Sequence, residues 1–133
     1  MFKMFVFLLA IFGYDVWFYI SHRLLHLPAL YWIHRVHHEK VVGLRWPDTY
    51  YGHWFEGPFQ SVGFLLPLAF GYGLVGDWVG WLAALAFVNA RGMMRHDDRM
   101  VRWIGSHHLL HHRDPRVNYG EAWIDALVGT RRM

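Results

Sequence analysis

Histidine is the chemically distinctive residue of this 133-residue chain, which contains eleven histidines and no cysteine. Nine of the histidines fall in three short clusters: HRLLH at 22–26, HRVHH at 34–38 and HHLLHH at 107–112. Neutral imidazole is a common ligand for iron, zinc, copper and nickel. Packing and solubility give no reason to repeat this pattern, so the clusters predict metal binding.

The spacing within each cluster indicates convergent ligands, because residues three and four apart lie on one face of a helix. Each cluster is therefore expected to direct several ring nitrogens at one point. The shared-face sets are His22 with His26; His34, His37 and His38; and His108, His111 and His112. One ion takes about four to six ligands in such sites, so this many imidazoles predict two ions.

Three further histidines are candidates for the same site. His96 is isolated in the sequence MMRHDDRM, but a helical hairpin before it is expected to return it to the clusters. His107 is a further candidate because HHLLHH places two pairs of histidines four residues apart, His107 with His111 and His108 with His112. His53 is as readily an ordinary hydrogen-bonded histidine as a site residue.

Metal-bound imidazoles usually donate their second ring nitrogen to another group, which fixes the ring orientation. Asp15 and Tyr19 lie on one helical stripe with His22 and His26, which makes them candidates for this role. An acid within an apolar helix needs a partner, and a ligand histidine or an arginine elsewhere would provide one. Asn118 and Asp125 are further candidates for orienting the rings.

Three apolar segments are available to position the histidines. Residues 2–20 form a run of about 19 residues, roughly 28 Å as a helix, which is long enough to cross a bilayer. A cleaved signal peptide fits poorly, because no small-residue cleavage site follows. The segments 58–75 and 77–94 read as a hairpin, with a kink at Pro67. Its turn is marked by Gly71, Gly73, Gly76 and Asp77.

Composition and charge agree with one membrane-embedded domain over residues 1–133. Hydrophobic residues make up 55% of the chain and charged residues 17%. Of the 13 lysines and arginines, all but Lys3 follow the first apolar run, in the segments that also carry the histidines. The positive-inside bias therefore predicts a multi-pass all-α bundle of about three apolar helices, with a histidine-rich cap on the cytosolic face. Nucleic acid is an improbable partner, and the lack of cysteine excludes thiolate chemistry.

The motifs together resemble the fatty acid hydroxylase and sterol desaturase superfamily, whose members are integral membrane non-haem di-iron oxygenases. DVWFYISHRLLH, HRVHH, a single histidine after a hairpin, HHLLHH and NYGEAWIDALVGT carry the resemblance over residues 15–131. HWFE at 53–56 is similar to a His-Pro-x-Glu element of the family, with Trp54 in place of proline, which makes His53 a candidate for the site rim. The resemblance implies nine metal ligands: His22, His26, His34, His37, His38, His96, His108, His111 and His112.

The activity implied by the resemblance is O2-dependent hydroxylation of a lipid C–H bond, in a fatty acyl chain, a sterol or a related molecule. Two non-haem irons would serve as the catalytic group, with no separate acid or base assigned. A desaturase or a carotenoid-ring hydroxylase of the same superfamily is the alternative. No flavin or nicotinamide motif is present, so electrons would come from an external cytochrome b5-like or ferredoxin-like carrier. The carrier could dock on a basic face formed by Arg91, Arg95, Arg99, Arg102, Arg113 and Arg116.

Departures from the family pattern leave other possibilities open. A tenth ligand is not assigned, and His53, His107, Asn89 or water could fill the place. The chain is shorter than most members, so a clipped amino terminus and a minimal or oligomeric form are all compatible with it. A membrane zinc hydrolase would need a glutamate within its histidine clusters, which is absent here. A metal transporter or other non-catalytic metal-binding membrane protein, or a bis-histidine haem protein, fits the apolar segments and the clusters less well.

Overall fold

The computed structural model describes residues 2–73, 75 and 77–133, and these residues form helices joined by turns and irregular loops. No strand occurs in these ranges, which confirms the all-α prediction. The α-helices are α1 (Phe2–Leu25), α2 (Tyr31–His34), α3 (Glu56–Ser61), α4 (Leu66–Ala69), α5 (Trp78–Arg95), α6 (Val101–Ile104), α7 (His107–Arg113) and α8 (Ala122–Val128). Short 3-10 helices cover His37–Glu39, Trp46–Tyr50, Val62–Leu65 and Asp98–Met100.

The first apolar segment folds as predicted but continues further. Helix α1 ends at Leu25 rather than near residue 20, so it carries His22 within its last turn. Among the described helices it is the one long and apolar enough to cross a membrane, over Lys3–Leu25. One continuous helix therefore joins the apolar segment to the first histidine cluster.

The second apolar segment differs from the prediction of a single arm over 58–75. The helical path runs from α3 through the 3-10 helix Val62–Leu65 to α4 and ends at Ala69. These 14 residues reach about 21 Å, short of the roughly 30 Å of a bilayer core. Pro67 lies in the first turn of α4, where its missing N–H leaves no bond unmade, so it begins a short helix and does not kink a long one. The part of the predicted arm and turn at Leu74 and Gly76 lies outside the described residues.

The third segment forms α5, close to the predicted 77–94, and it runs in the same direction as α1. Gly80 faces Lys3 and Val6 near the start of both helices, and Arg91 pairs with Asp15 further along. The carboxyl ends of α1 and α5 therefore lie at the same end of the protein. This arrangement brings His96 back to the histidine clusters, as the hairpin argument predicted.

The core lies between α1, α5 and the 3-10 helix Val62–Leu65. Its buried centre consists of Ala10, Phe64, Ala84 and Val88, and it is surrounded by Phe7, Ile11, Tyr14 and Trp81. Small alanines on both long helices allow the two backbones to approach, and Phe64 fills the space between them. The core therefore holds α1 and α5 side by side on the amino-terminal side of their histidines.

The backbones of α1 and the 3-10 helix Val62–Leu65 approach closely at Gly13 and Gly63. A Cβ atom on Gly63 would lie 2.3 Å from the carbonyl oxygen of Gly13 and 2.6 Å from Cβ of Trp17. A Cβ atom on Gly13 would lie 2.4 Å from the carbonyl oxygen of Gly63. Since both obstacles are backbone atoms, which cannot rotate away, glycine is required at both positions.

We predict that Gly63→Ala destabilises the protein by about 1–3 kcal/mol, because the added methyl group forces α1 away from the 3-10 helix. Gly57→Ala is the matched control, since nothing lies within 4 Å of its Cβ position in α3. Alanine at that helical site should stabilise by about 0.5–1 kcal/mol. Thermal unfolding in detergent measures both, and a Gly63→Ala protein as stable as the parent would contradict this packing.

Candidate metal centre

Nine histidines converge near the carboxyl ends of α1 and α5, and they form two separate groups. The five-histidine group consists of His22, His26, His34, His38 and His111. The four-histidine group consists of His37, His96, His108 and His112. Within each group the ring nitrogens that could bind a metal lie within 4.8 Å of one another. These are the nine residues that the motifs singled out.

The two HxxHH motifs are each divided between the groups, so the expectation that one cluster serves one point was wrong. HRVHH contributes His37 to the four-histidine group and its other two histidines to the five-histidine group. HHLLHH contributes His111 to the five-histidine group and His108 and His112 to the four-histidine group. On a helix, residues four apart share a face, whereas the adjacent residue is rotated by about 100°. Each motif therefore bridges two points in space.

In the five-histidine group, backbone carbonyls fix the proton position on two rings. Nδ1 of His111 donates to the carbonyl oxygen of Val117 at 2.7 Å, and Nδ1 of His22 donates to that of Tyr119. A carbonyl can only accept, so Nδ1 of each ring carries the hydrogen. In a neutral imidazole the other nitrogen, Nε2, then presents a bare lone pair to the centre of the group.

In the four-histidine group, two rings are likewise held by hydrogen bonds from Nδ1 to backbone carbonyls. Nδ1 of His37 donates to the carbonyl oxygen of Tyr51 at 2.8 Å, and Nδ1 of His96 donates to that of Gly92 at 3.0 Å. The Nε2 atoms of these two rings lie 3.0 Å apart with no hydrogen between them. Two lone pairs held at this distance repel unless a cation lies between them.

His112 adds an independent sign of a missing partner. Both of its ring nitrogens are buried, and neither has a hydrogen-bond partner among the described residues. Buried polar atoms in proteins are nearly always paired, so an exception requires an explanation. The neutral, nitrogen-only donor set of the two groups fits a pair of first-row transition-metal ions, which would satisfy these atoms.

The rings are neutral at physiological pH in the absence of a metal. Burial, followed by repulsion from neighbouring imidazoles, lowers the pKa of His38 to about 2 and that of His96 to about 3. Burial likewise lowers the pKa of His111 to about 4. The contact between Nε2 of His37 and Nε2 of His96 is therefore not held together by a shared proton. The ligand set is ready to bind a cation without first losing protons.

Glu56 is a site residue that the sequence analysis missed. Its Oε1 lies 2.8 Å from Nδ1 of His34, on the side of the ring that faces away from the five-histidine group. The side chain is buried and its Oε2 has no partner among the described atoms, and this burial raises the pKa of the carboxyl to about 8. A cation bound by His34 would favour the carboxylate form. The HWFE element was the available signal, but only its histidine was considered.

Asp15 and Tyr19 do not orient ligand rings directly, contrary to their predicted role. Asp15 pairs with Arg91, the arginine alternative, because the parallel arrangement of α1 and α5 places the two side chains opposite each other. The hydroxyl of Tyr19 is 3.1 Å from the hydroxyl of Thr130. Its ring lies edge-on to Tyr119, whose carbonyl accepts from His22.

Asn118 and Asp125 lie close to the clusters but contact His107 and not the nine converging rings. Nε2 of His107 is 2.9 Å from Oδ2 of Asp125, and the amide of Asn118 donates to the carbonyl oxygen of His107. His107 therefore belongs to neither group. His53 is also outside both groups, since its ring packs against Trp32 and Trp54.

Two arginines of the expected basic docking face lie in the interior of the protein. Arg91 and Arg95 are largely buried and pair with Glu121, and Arg91 also pairs with Asp15. Their charges are therefore compensated inside the protein. Arg116 lies on the surface, beside Asp114.

A cavity of about 220 Å³ reaches both histidine groups. His22 and His34 line it from the five-histidine group, and His37, His96 and His108 line it from the four-histidine group. Its apolar wall is formed by Phe18, Phe64, Leu85 and Val88. Glu56, Asn89, Arg91, Arg95 and Glu121 add polar groups to the lining. The cavity therefore places an apolar wall beside both histidine groups.

Comparison with known proteins agrees with this geometry. The family model described as fatty acid hydroxylase matches residues 7–130, which is nearly the whole chain and includes all nine converging histidines. The chain belongs to the fatty acid hydroxylase family. No solved structure gives a significant match.

Two curated relatives of this chain are sterol desaturases. The Delta(7)-sterol 5(6)-desaturase erg3C of Aspergillus fumigatus is 30% identical, over 89% of this chain and 45% of the relative. The Delta(7)-sterol 5(6)-desaturase ERG3B of Gibberella zeae is 30% identical, over 89% of this chain and 39% of the relative. The chain spans less than half the length of each.

We predict that the metal-free chain loses stability as the pH falls below about 6.5. The clustered histidines have lowered pKa values when folded and the ordinary value of 6.5 when unfolded, so the unfolded chain binds more protons. The contribution is fully present above pH 6.5 and is lost progressively as the pH falls towards the folded pKa values of about 2 to 4. Unfolding in detergent with a chelator, at pH 7.5 and pH 5, measures it. Equal or greater stability at pH 5 would contradict the buried, neutral state of the rings.

Proposed function

We propose that this chain forms the catalytic part of a membrane-bound, non-haem di-iron oxidoreductase that uses O2 to hydroxylate a C–H bond of a lipid. The observation that carries the proposal is the pair of histidine groups, each with bare Nε2 atoms, beside one cavity with an apolar wall. Family membership supports iron as the metal and a lipid as the substrate.

The five-histidine and four-histidine groups would hold one iron each. When bound, an iron pair of this kind supplies the activation of dioxygen and the removal of hydrogen from an unactivated C–H bond. The protein holds four of the nine rings in one tautomer through the carbonyl oxygens of Tyr51, Gly92, Val117 and Tyr119. Because these acceptors are backbone atoms, the ligand set keeps its shape as the metals bind and react.

The cavity would position the lipid. Phe18 on α1, Phe64 on the 3-10 helix and Val88 on α5 surround its apolar part and exclude water from the substrate chain. His34 and His96 line the same space, so a methylene group held against the apolar wall lies beside both groups. Proximity of this kind accounts for a large part of the rate advantage in reactions of bound substrates.

The membrane would supply that substrate. Helix α1 is long and apolar enough to span, and it leaves Met4, Phe5, Leu8 and Phe12 exposed on its surface. Large apolar side chains on one long helix are stable in a lipid environment and costly in water. We propose a multi-pass arrangement with the histidine groups at the cytosolic face, an external cytochrome b5-like or ferredoxin-like electron donor, and an oligomer as one form of the assembled protein.

Desaturation is the second candidate activity. The names of the two relatives, both sterol 5(6)-desaturases, favour it. Removal of two hydrogens from neighbouring carbons needs the same metal pair and the same apolar cavity, and the outcome depends on how the substrate lies in the cavity.

Lipid profiling of cells that produce the chain tests the proposal. We predict a lipid that differs from its precursor by one added oxygen, or by two lost hydrogens for a desaturase. His111→Ala should abolish this product, because it removes a ligand from the five-histidine group. His53→Ala is the matched control, since its ring lies outside both groups, and it should leave the product in place.

Iron analysis of the purified proteins accompanies the profiling. The parent chain and His53→Ala should hold about two irons each, and His111→Ala should hold fewer. An unchanged lipid profile in all three strains, or an iron content of one or none in the parent, would contradict the proposal.

A further inference from the structure

The two histidine groups depend on different parts of the chain for their orientation. In the five-histidine group, His22 and His111 donate to the carbonyl oxygens of Tyr119 and Val117. Both carbonyls belong to the segment 114–121, which contains no helix. In the four-histidine group, by contrast, the acceptor of His96 is Gly92, within α5.

The segment 114–121 has an irregular backbone that other groups must hold in place. Asn118 adopts a left-handed conformation with φ of 57°, which is uncommon for a residue other than glycine. Its side-chain oxygen accepts from the backbone N–H of Arg132 at 2.6 Å, and its amide donates to the carbonyl oxygen of His107 at 3.1 Å. The conformation therefore depends on bonds from the flanking chain.

The carboxylate of Asp125, which is fully buried, makes a second set of bonds to the segment. Its carboxylate accepts from the backbone N–H groups of Tyr119 and Gly120, each at 2.9 Å. It also accepts from the hydroxyl of Thr130 at 2.6 Å and from the ring of His107 at 2.9 Å. Four donors thus meet one carboxylate, and the two backbone donors flank the carbonyl of Tyr119.

Other contacts of the segment fix its distance from α1 and α5. A Cβ on Gly120 would lie 3.0–3.1 Å from the side chain of Tyr19, so the backbone rests against α1. Glu121 pairs with Arg91 and Arg95 of α5. These contacts place the segment beside the histidines, while Asp125 determines the direction of its peptide groups.

We infer that Asp125 is a positioning residue that controls metal binding at the five-histidine group and leaves the four-histidine group largely independent. It acts through the peptide groups of 117–120, whose carbonyls hold the rings of His22 and His111. His107 accordingly serves as a donor that fastens Asp125 and not as a tenth ligand. The inference rests on the proposed function for the presence of two metal ions.

Two rings of the four-histidine group are held by bonds to other parts of the chain, so we expect a change at Asp125 to affect this group less than the five-histidine group. His37 donates to the carbonyl oxygen of Tyr51, which follows the 3-10 helix Trp46–Tyr50. That helix is joined to α5 by the hydroxyl of Thr49, which donates to the carbonyl oxygen of Gly92 at 3.3 Å. No described hydrogen bond links these two supports to Asp125. The contact of Asp125 with α7, which carries His108 and His112, is through His107 at the first position of that helix.

Anaerobic titration of the metal-free chain with Fe²⁺ in detergent tests the inference in two backgrounds. His96→Ala retains the five-histidine group, and His34→Ala retains the four-histidine group. Asp125→Asn replaces one acceptor oxygen by an amide donor, which the surrounding N–H and O–H groups cannot satisfy. We expect it to weaken iron binding by about 10–100-fold in the His96→Ala background and by less than about twofold in the His34→Ala background.

Two further variants guard against a general loss of folding. Thr130→Val keeps the shape of the side chain and removes one donor to Asp125, so it should weaken the five-histidine group in the same direction but less. Asp77→Asn makes the same acid-to-amide change at the start of α5, at the opposite end of that helix, and should change neither affinity. The selective loss, repeated by Thr130→Val, is a result that general destabilisation would not produce.

The outcomes separate this inference from the proposed function. Equal weakening in both backgrounds, or no weakening in either, would overturn the positioning role of Asp125 while the parent chain still binds two irons. A parent chain that binds fewer than two irons would contradict the proposed function and would overturn the inference with it.

Discussion

The bond between a histidine Nδ1–H and a fixed acceptor is the interaction on which the site depends. In four of the nine rings the acceptor is a backbone carbonyl, which cannot donate, so the tautomer is determined and Nε2 is left bare. Bringing such lone pairs within hydrogen-bond distance of one another costs free energy in the absence of a cation. The rest of the fold supplies the free energy that keeps the rings together.

That free energy comes from elements at some distance from the metals. The contact between Gly13 and Gly63 allows the 3-10 helix to lie directly on α1, and Phe64 then fills the space between α1 and α5. Because α1 and α5 run in the same direction, their carboxyl ends deliver His22 and His96 to one place. The cavity lies beside the same core, which explains why its apolar wall and its histidines are adjacent. Substrate position and ligand geometry are therefore determined together.

The sequence was sufficient to predict the helical class, the limits of α5 and the nine converging histidines, because apolar length is a local property and the histidine motifs resemble those of a known family. It did not predict how each HxxHH motif divides between two groups, because all three histidines of a motif were taken as one face, whereas only the pair four residues apart points at the same group. The partners of Asp15 and His34 were missed for a related reason. Arg91 and Glu56 are 76 and 22 residues away from them, and only the packing of the helices identifies such pairs. The second apolar arm was predicted too long because composition does not reveal a 3-10 interruption.

X-ray absorption at the iron edge of the loaded protein tests the central claim most directly, because imidazole rings give a characteristic scattering pattern beyond the first ligand atom. The account predicts four to five imidazoles per iron, as expected for one ion in each histidine group. A spectrum with one or two imidazoles per iron and mainly oxygen ligands would contradict it, because the converging rings would then not be the ligands.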